Sequence, residues 1–84
     1  MKISVEISFY PLRNEYLRPI SDFIDQLKAY DTLFVRVNGM SSHVVGEYDD
    51  VMDALKTEMK ASLEIPHSVF VMKVLNTDLR EIEK

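Results

Sequence analysis

The chain has 84 residues, too few for a second hydrophobic core when domains usually run ~100–150 residues, so residues 1–84 are expected to form one domain. It has no cysteine, which excludes disulfide scaffolds, thiolate zinc sites and cysteine nucleophiles. Its net charge of −4 argues against nucleic-acid binding, which draws on clustered Lys and Arg. No apolar run approaches the ~20 residues of a membrane helix. Lys2 is followed by alternating residues rather than a continuous apolar stretch, so no signal peptide and a cytoplasmic home are expected.

From Lys2 to Tyr10 the residues alternate, with Ile3, Val5, Ile7 and Phe9 on one side and Ser4, Glu6, Ser8 and Tyr10 on the other. Period two with β-branched residues predicts a half-buried strand, ended by Pro11. A helix follows: Asn14 is a candidate N-cap, and Leu17, Ile20, Ile24 and Leu27 make an apolar stripe widened by Phe23. Pro19 either sits in the first turn or delays the helix start to about its own position. The helix fades near Ala29–Tyr30.

Thr32 to Asn38 reads as a second strand, and Asn38-Gly39 as a turn, with the loop closing there or at Ser41. A third strand runs from about Ser41 to Tyr48. Asp49 or Asp50 is a candidate cap for a second helix, whose stripe is Val51, Met52, Leu55, Met59 and Leu63. After Pro66, Ser68 to Leu75 is a fourth strand, apolar on both faces except for Lys73. The charged tail, 76–84, is expected to end in a short helical turn.

The order is β-α-β-β-α-β, which defines an α+β, ferredoxin-like sandwich. Right-handed crossovers put both helices on one face of a four-stranded antiparallel sheet of order 4-1-3-2. The other face carries Ser4, Glu6, Ser8, Phe34, Arg36, Asn38, His43, Val45, Glu47, Val69, Val71, Lys73 and Leu75, leaving Phe70, Met72 and Val74 to the core. That face is too apolar for plain solvent and too charged for a plain core. A subunit interface enclosing a polar pocket satisfies both facts.

Plainer readings apply to single residues. Glu6 with Arg36 or Lys73 makes an ordinary cross-strand ion pair. His43 more often serves as a structural hydrogen-bonding residue than as a ligand. The methionines of the second helix fill the core. Asp49-Asp50 is a helix cap before it is a metal site, and His43 and His67 lack zinc spacing, so neither a metal nor a cofactor is expected. No nucleophile elbow, HExxH or glycine-rich phosphate loop is present, so a binding module is expected rather than an enzyme.

Three segments, VEISFYPL (5–12), NGMSSHVVGEYDDVMDAL (38–55) and VFVMKVLNTDLRE (69–81), resemble the YkoF-like thiamine/hydroxymethylpyrimidine-binding family. The resemblance implies a ferredoxin-like protein that binds thiamine or its pyrimidine moiety without turnover, as a homodimer or homotetramer. The name-giving member carries two such domains in tandem, whereas this chain holds one. Ser41-Ser42 stands where many relatives have Gly-Thr, and Val45 where they have Glu. Together with the face assignment, the resemblance implies a ligand site of Glu6, Ser8, Phe34, Asn38, Ser41, Ser42 and His43. Glu6 would balance the thiazolium or accept from the exocyclic amine. The serines and Asn38 would complete the hydrogen bonds, Phe34 or Tyr10 would stack on a ring, and His43 would meet a ring nitrogen. The competing expectation is a structural or regulatory oligomerisation domain with no small-molecule ligand.

Overall fold

A computed structural model describes residues 1–83 and places seven elements along them. They are β1 (Lys2–Pro11), α1 (Leu17–Lys28), β2 (Phe34–Val37), β3 (Ser42–Glu47), α2 (Tyr48–Ser62), β4 (Ser68–Leu75) and α3 (Leu79–Ile82). The strands form one antiparallel sheet of order β2-β3-β1-β4, the expected 4-1-3-2 read from the other edge. β1 is paired on both sides: Val5 lies opposite Val44 and Val74, and Glu6 opposite His43 and Lys73. Its alternation delivers Ile3, Val5, Ile7 and Phe9 to one face. There they meet Phe23 and Leu27 of α1, Val51, Ala54 and Leu55 of α2, and Val44 of β3. Phe9 stacks on Phe70 of β4 with ring centroids 4.4 Å apart, and Phe23 closes the trio at 5.7 and 5.0 Å. The fold is the ferredoxin-like α+β sandwich expected from the element order.

Local boundaries depart from the sequence reading for identifiable reasons. α1 starts at Leu17 with Tyr16 at the cap and no side-chain cap bond, so Asn14 does not cap it. Pro19 sits in the first turn, where its missing N–H has no intrahelical use. α2 starts at Tyr48, not after Asp49 or Asp50, because β3 runs straight into it. The Tyr48 N–H donates to the Met1 carbonyl at 2.9 Å, and Asp49 and Asp50 lie in the first turn, where they oppose the positive end of the helix dipole. β2 is shorter than Thr32–Asn38, since the Leu33 N–H is drawn back to the Tyr30 carbonyl and Asn38 is taken into the following turn. Leu17 and Leu63 lie at the ends of their stripes and are exposed.

Two larger corrections concern the faces. Met72 and Val74 do not fill the core; they are exposed although they share a face with Phe70. The helix layer rests on β1, β2 and β3, and reaches the edge strand β4 through Phe23 against Phe70. The second face is also not left wholly open. After β4 the chain turns back across it, and α3 lies over Ser4 and Phe34. Ser4 and Val45 on that face are only 2% and 1% exposed. Among the described residues no helix is long and apolar enough to cross a membrane.

Gly46 marks the tightest approach. A Cβ there would meet the Thr32 carbonyl oxygen at 3.1 Å, Leu33 Cδ2 at 3.2 Å and Val51 Cγ2 at 3.3 Å. The backbone oxygen has little room to give. Gly46→Ala should therefore lose ~1–3 kcal/mol of stability by overpacking. Urea denaturation checks it: the midpoint falls with the slope unchanged, and an unchanged midpoint would refute the close approach.

Candidate functional site

Asn38 organises one end of the sheet. Its side-chain Oδ1 accepts from the N–H groups of Met40 (2.8 Å) and Ser41 (3.0 Å), and its backbone N–H donates to the Ser41 carbonyl at 3.1 Å. This Asx-type arrangement closes the β2–β3 loop at Ser41, the longer of the two expected turns. The Ser8 hydroxyl donates to the Met40 carbonyl at 3.4 Å and holds the turn against β1.

Between this turn, the second half of β1 and the first half of α1 lies a cleft of about 290 Å³. Ser8, Asn38, Ser41 and Ser42 bring polar groups to it, and Ile7, Phe9, Phe23, Ile20, Ile24 and Val37 supply apolar walls. Tyr10 and Tyr16 stand at the cleft and are about half exposed. An apolar lining with a few convergent polar groups is the usual composition of a small-molecule site, and the volume lies at the small end of that range. A larger hollow of about 390 Å³ runs beside the end of α2, lined by Lys56, Met59, Lys60, Leu63 and Glu64. It is shallow, and its lining comes from α2 and the residues just after it.

A chain of polar contacts leads away from the cleft across the second face. The Ser41 hydroxyl donates to Glu6 Oε2 at 3.1 Å, His43 Nε2 lies 3.4 Å from the same oxygen, and Lys73 Nζ is 3.6 Å from Oε1. Arg36 Nη2 lies 3.2 Å from His43 Nδ1 and 2.9 Å from both oxygens of Glu83. A guanidinium can only donate, so His43 Nδ1 accepts and the imidazole proton sits on Nε2, facing Glu6. The bonds from Ser41 and His43 hold the Glu6 carboxyl below its usual range, against the opposing effect of burial, and the Lys73 charge adds to the lowering. Glu6 is thus kept as a carboxylate beside the cleft.

The C-terminal segment is fixed by two further groups. The Ser4 hydroxyl donates to the Thr77 carbonyl (2.7 Å) and accepts from the Leu79 N–H (2.8 Å). Asp78 caps α3: Oδ1 accepts from the Arg80 N–H at 2.9 Å and from its Nε at 3.0 Å, while Oδ2 accepts from Nη2 at 2.7 Å. The doubly held guanidinium lies over the Phe34 ring, 4.3 Å from its centroid. Chiefly through the side-chain bonds from Arg80, the Asp78 carboxyl is lowered from 3.8 to about 2.

Of the residues singled out in the sequence, Ser8, Asn38, Ser41 and Ser42 line one cleft. Glu6 adjoins them through Ser41, and His43 through Glu6. Phe34 does not join them. It is at the far end of β2 from the turn, and Arg80 occupies its face. Tyr10, named as an alternative stacking ring, is at the cleft instead. Tyr16 and the α1 wall escaped the sequence reading; a tyrosine at the mouth of a helix was the one available signal. Glu6 pairs with Lys73 and His43, while Arg36 turns to Glu83. Among the described residues no three His, Asp or Glu side chains cluster as metal ligands would.

No protein-family model and no curated protein sequence matches the chain. Several solved structures do. A hypothetical protein of Methanocaldococcus jannascii is 25% identical, with a TM-score of 0.79, covering 98% of this chain and 93% of its own. A Streptococcus pneumoniae protein is 21% identical over 100% of both chains, with a TM-score of 0.85. A Thermotoga maritima protein provisionally assigned to thiamine biosynthesis or salvage is 18% identical, with a TM-score of 0.82, over 92% of this chain and 85% of its own. These likenesses establish a shared ferredoxin-like fold over essentially the whole chain.

The clamp has a pH signature. A carboxyl whose pKa falls on folding adds stability that is complete above its ordinary value near 3.8 and is lost as pH drops toward about 2. Wild-type stability should fall across that window, and Asp78→Asn should remove Asp78's share of the fall. Hydrogen exchange at Leu79–Ile82 in the variant should be faster at neutral pH. Identical acid profiles for the two proteins would contradict the assignment.

Proposed function

We propose that this protein binds thiamine, or its hydroxymethylpyrimidine moiety, without catalysing its conversion, and does so as a homodimer or homotetramer. The observation that carries the ligand reading is the cleft beside Glu6, where hydroxyls and an amide converge on an apolar lining next to a carboxylate kept ionised. An aminopyrimidine presents donors and acceptors on a flat apolar ring, and thiamine adds a permanent cation. Ser8, Ser41 and Ser42 offer both hydrogen-bonding senses, and Tyr10 and Tyr16 offer ring faces for stacking. Glu6 supplies the countercharge or accepts from the exocyclic amine. Its lowered pKa supports a binding role rather than acid catalysis, since a general acid near neutral pH needs a raised one. The Thermotoga maritima protein provisionally assigned to thiamine biosynthesis or salvage, alike in fold, adds some weight to this ligand class. The proposed compartment is the cytoplasm.

A second reading, a self-association domain without a small-molecule ligand, is favoured by the apolar surface left exposed along β4.

Calorimetric titration with thiamine and with hydroxymethylpyrimidine separates the two. The proposal expects saturable binding of at least one. Glu6→Gln should weaken it by about 10- to 100-fold, as loss of a hydrogen bond to a charged group costs ~1.5–3 kcal/mol. No heat and no thermal shift at millimolar ligand would sink the ligand reading and leave the self-association domain.

A further inference from the structure

One rung of the sheet carries an ionisable side chain from every strand. Arg36 of β2 lies opposite His43 of β3, His43 opposite Glu6 of β1, and Glu6 opposite Lys73 of β4. Glu83, at the end of α3, continues the row beyond Arg36. Around a neutral His43 the two cations and two carboxylates cancel. His43 is the most enclosed member: its side chain is 17% exposed, against 40% to 83% for the others. Its neighbours, more than water, therefore decide what a proton on the ring costs.

Those neighbours make opposite demands. Arg36 Nη2, 3.2 Å from Nδ1, can only donate, and the Glu6 carboxylate, 3.4 Å from Nε2, can only accept. The neutral ring, with its proton on Nε2, satisfies both. A second proton has one place to go, the Nδ1 lone pair, where donor would face donor and cation would face cation. On the other side the imidazolium gains a full ion pair with Glu6. A charged ring thus keeps Glu6 and expels Arg36, and with Arg36 goes the anchor of Glu83. The other charged groups around the rung are engaged elsewhere or lie farther out. Lys73 faces the ring across Glu6, Glu47 of the same strand meets the Met1 ammonium, and Asp78 holds Arg80 over Phe34. Glu81 shares α3 with Arg80, and α2 packs on the opposite face of the sheet.

We propose that His43 is a proton-operated link between the cleft and the C-terminal segment: neutral, it holds Arg36 and Glu83 in place and leaves Glu6 to a ligand; protonated, it releases them and takes Glu6 for itself. The two ends are coupled reciprocally, since a ligand that engages Glu6 favours the neutral ring and so the docked segment. The link operates in the range where imidazoles ordinarily titrate, near pH ~6.5. The Asp78 clamp lets go only toward about 2, so the start of α3 stays docked while its end is freed.

Nuclear magnetic resonance on the ligand-free protein tests this. Ring nitrogen shifts followed from pH 8 to pH 5 give the tautomer and the midpoint of His43, with exposed His67 as the internal reference. The neutral ring should carry its proton on Nε2. The backbone order parameter of Glu83 should fall from about 0.85 toward 0.6 with the His43 midpoint, while that of Asp78 stays level. In His43→Gln, whose amide accepts on one side and donates on the other without titrating, Glu83 should stay level throughout. The link stands on that pair of results. It is overturned if Glu83 stays level in the wild type, if the same fall appears in His43→Gln, or if the neutral ring is protonated on Nδ1. Should His43→Gln fail to fold by circular dichroism, two charge removals decide instead. Arg36→Gln should raise the His43 midpoint and Glu6→Gln should lower it, each by about one pH unit, a tenfold change in proton affinity; an unmoved midpoint in either overturns the link.

Only the affinity arm rests on the proposed ligand. Thiamine should bind about 3- to 10-fold more weakly one pH unit below the His43 midpoint than one unit above it, as the fraction of neutral ring falls, and His43→Gln should remove the difference. Binding of equal strength at both pH values overturns the link and leaves the ligand reading intact. No binding at either removes the ligand reading, and the ligand-free measurements still decide the link.

Discussion

β1 is paired on both sides, and both of its rows are used. The inward row, Ile3, Val5, Ile7 and Phe9, seats the helices. The outward row is polar, and three of its side chains take on separate tasks. Ser4 receives the C-terminal segment, Glu6 receives Ser41, His43 and Lys73, and Ser8 receives the β2–β3 turn. Because side chains alternate with a period of two, a register slip of one residue would send the polar row into the core and expose the apolar one. The core, the C-terminal clamp and the cleft therefore share a single register.

The cleft and the clamp are linked through that same row. Glu83, Arg36, His43, Glu6 and Ser41 form a continuous series of polar contacts from the C-terminal segment to the rim of the cleft. Each link is partly exposed, so each alone adds little to stability. Their value lies in orientation. Arg36 sets the tautomer of His43, and His43 then presents its N–H to Glu6. Glu6 is left with a defined side toward Ser41, which is what a carboxylate needs if it is to meet one ligand atom rather than several waters.

Much of the fold was legible from periodicity. Strand alternation in 2–10 and the stripes of the two long helices specify the β-α-β-β-α-β order and the face on which each strand residue lies. The same alternation put Ser8 and His43 on the outer row, as the structure has them. Two kinds of information were not in the periodicity. One is how far a helix layer extends: Met72 and Val74 share the inner row with Phe70 but lie beyond the helices. The other is where a short tail goes. Asp78 followed three residues later by Glu81 is a readable start for a helix. Nothing in that pattern says that Ser4 and Phe34 are its landing points, because those contacts span most of the chain. Phe34 was assigned to a ligand for the same reason.

The C-terminal return also bears on the order in which the molecule can be completed. The Ser4–Leu79 bond joins residues 75 positions apart, and β1 pairs with β4 across nearly as long an interval. Contacts this distant in sequence carry a large loop-closure cost, and chains that depend on them fold more slowly than those built from local contacts. During synthesis, β1, the helices and the β2–β3 hairpin emerge first, with Phe34 and Val45 still uncovered and one side of β1 unpaired. A nascent chain therefore presents a bare sheet edge and a bare aromatic patch until β4 and α3 are free to close them.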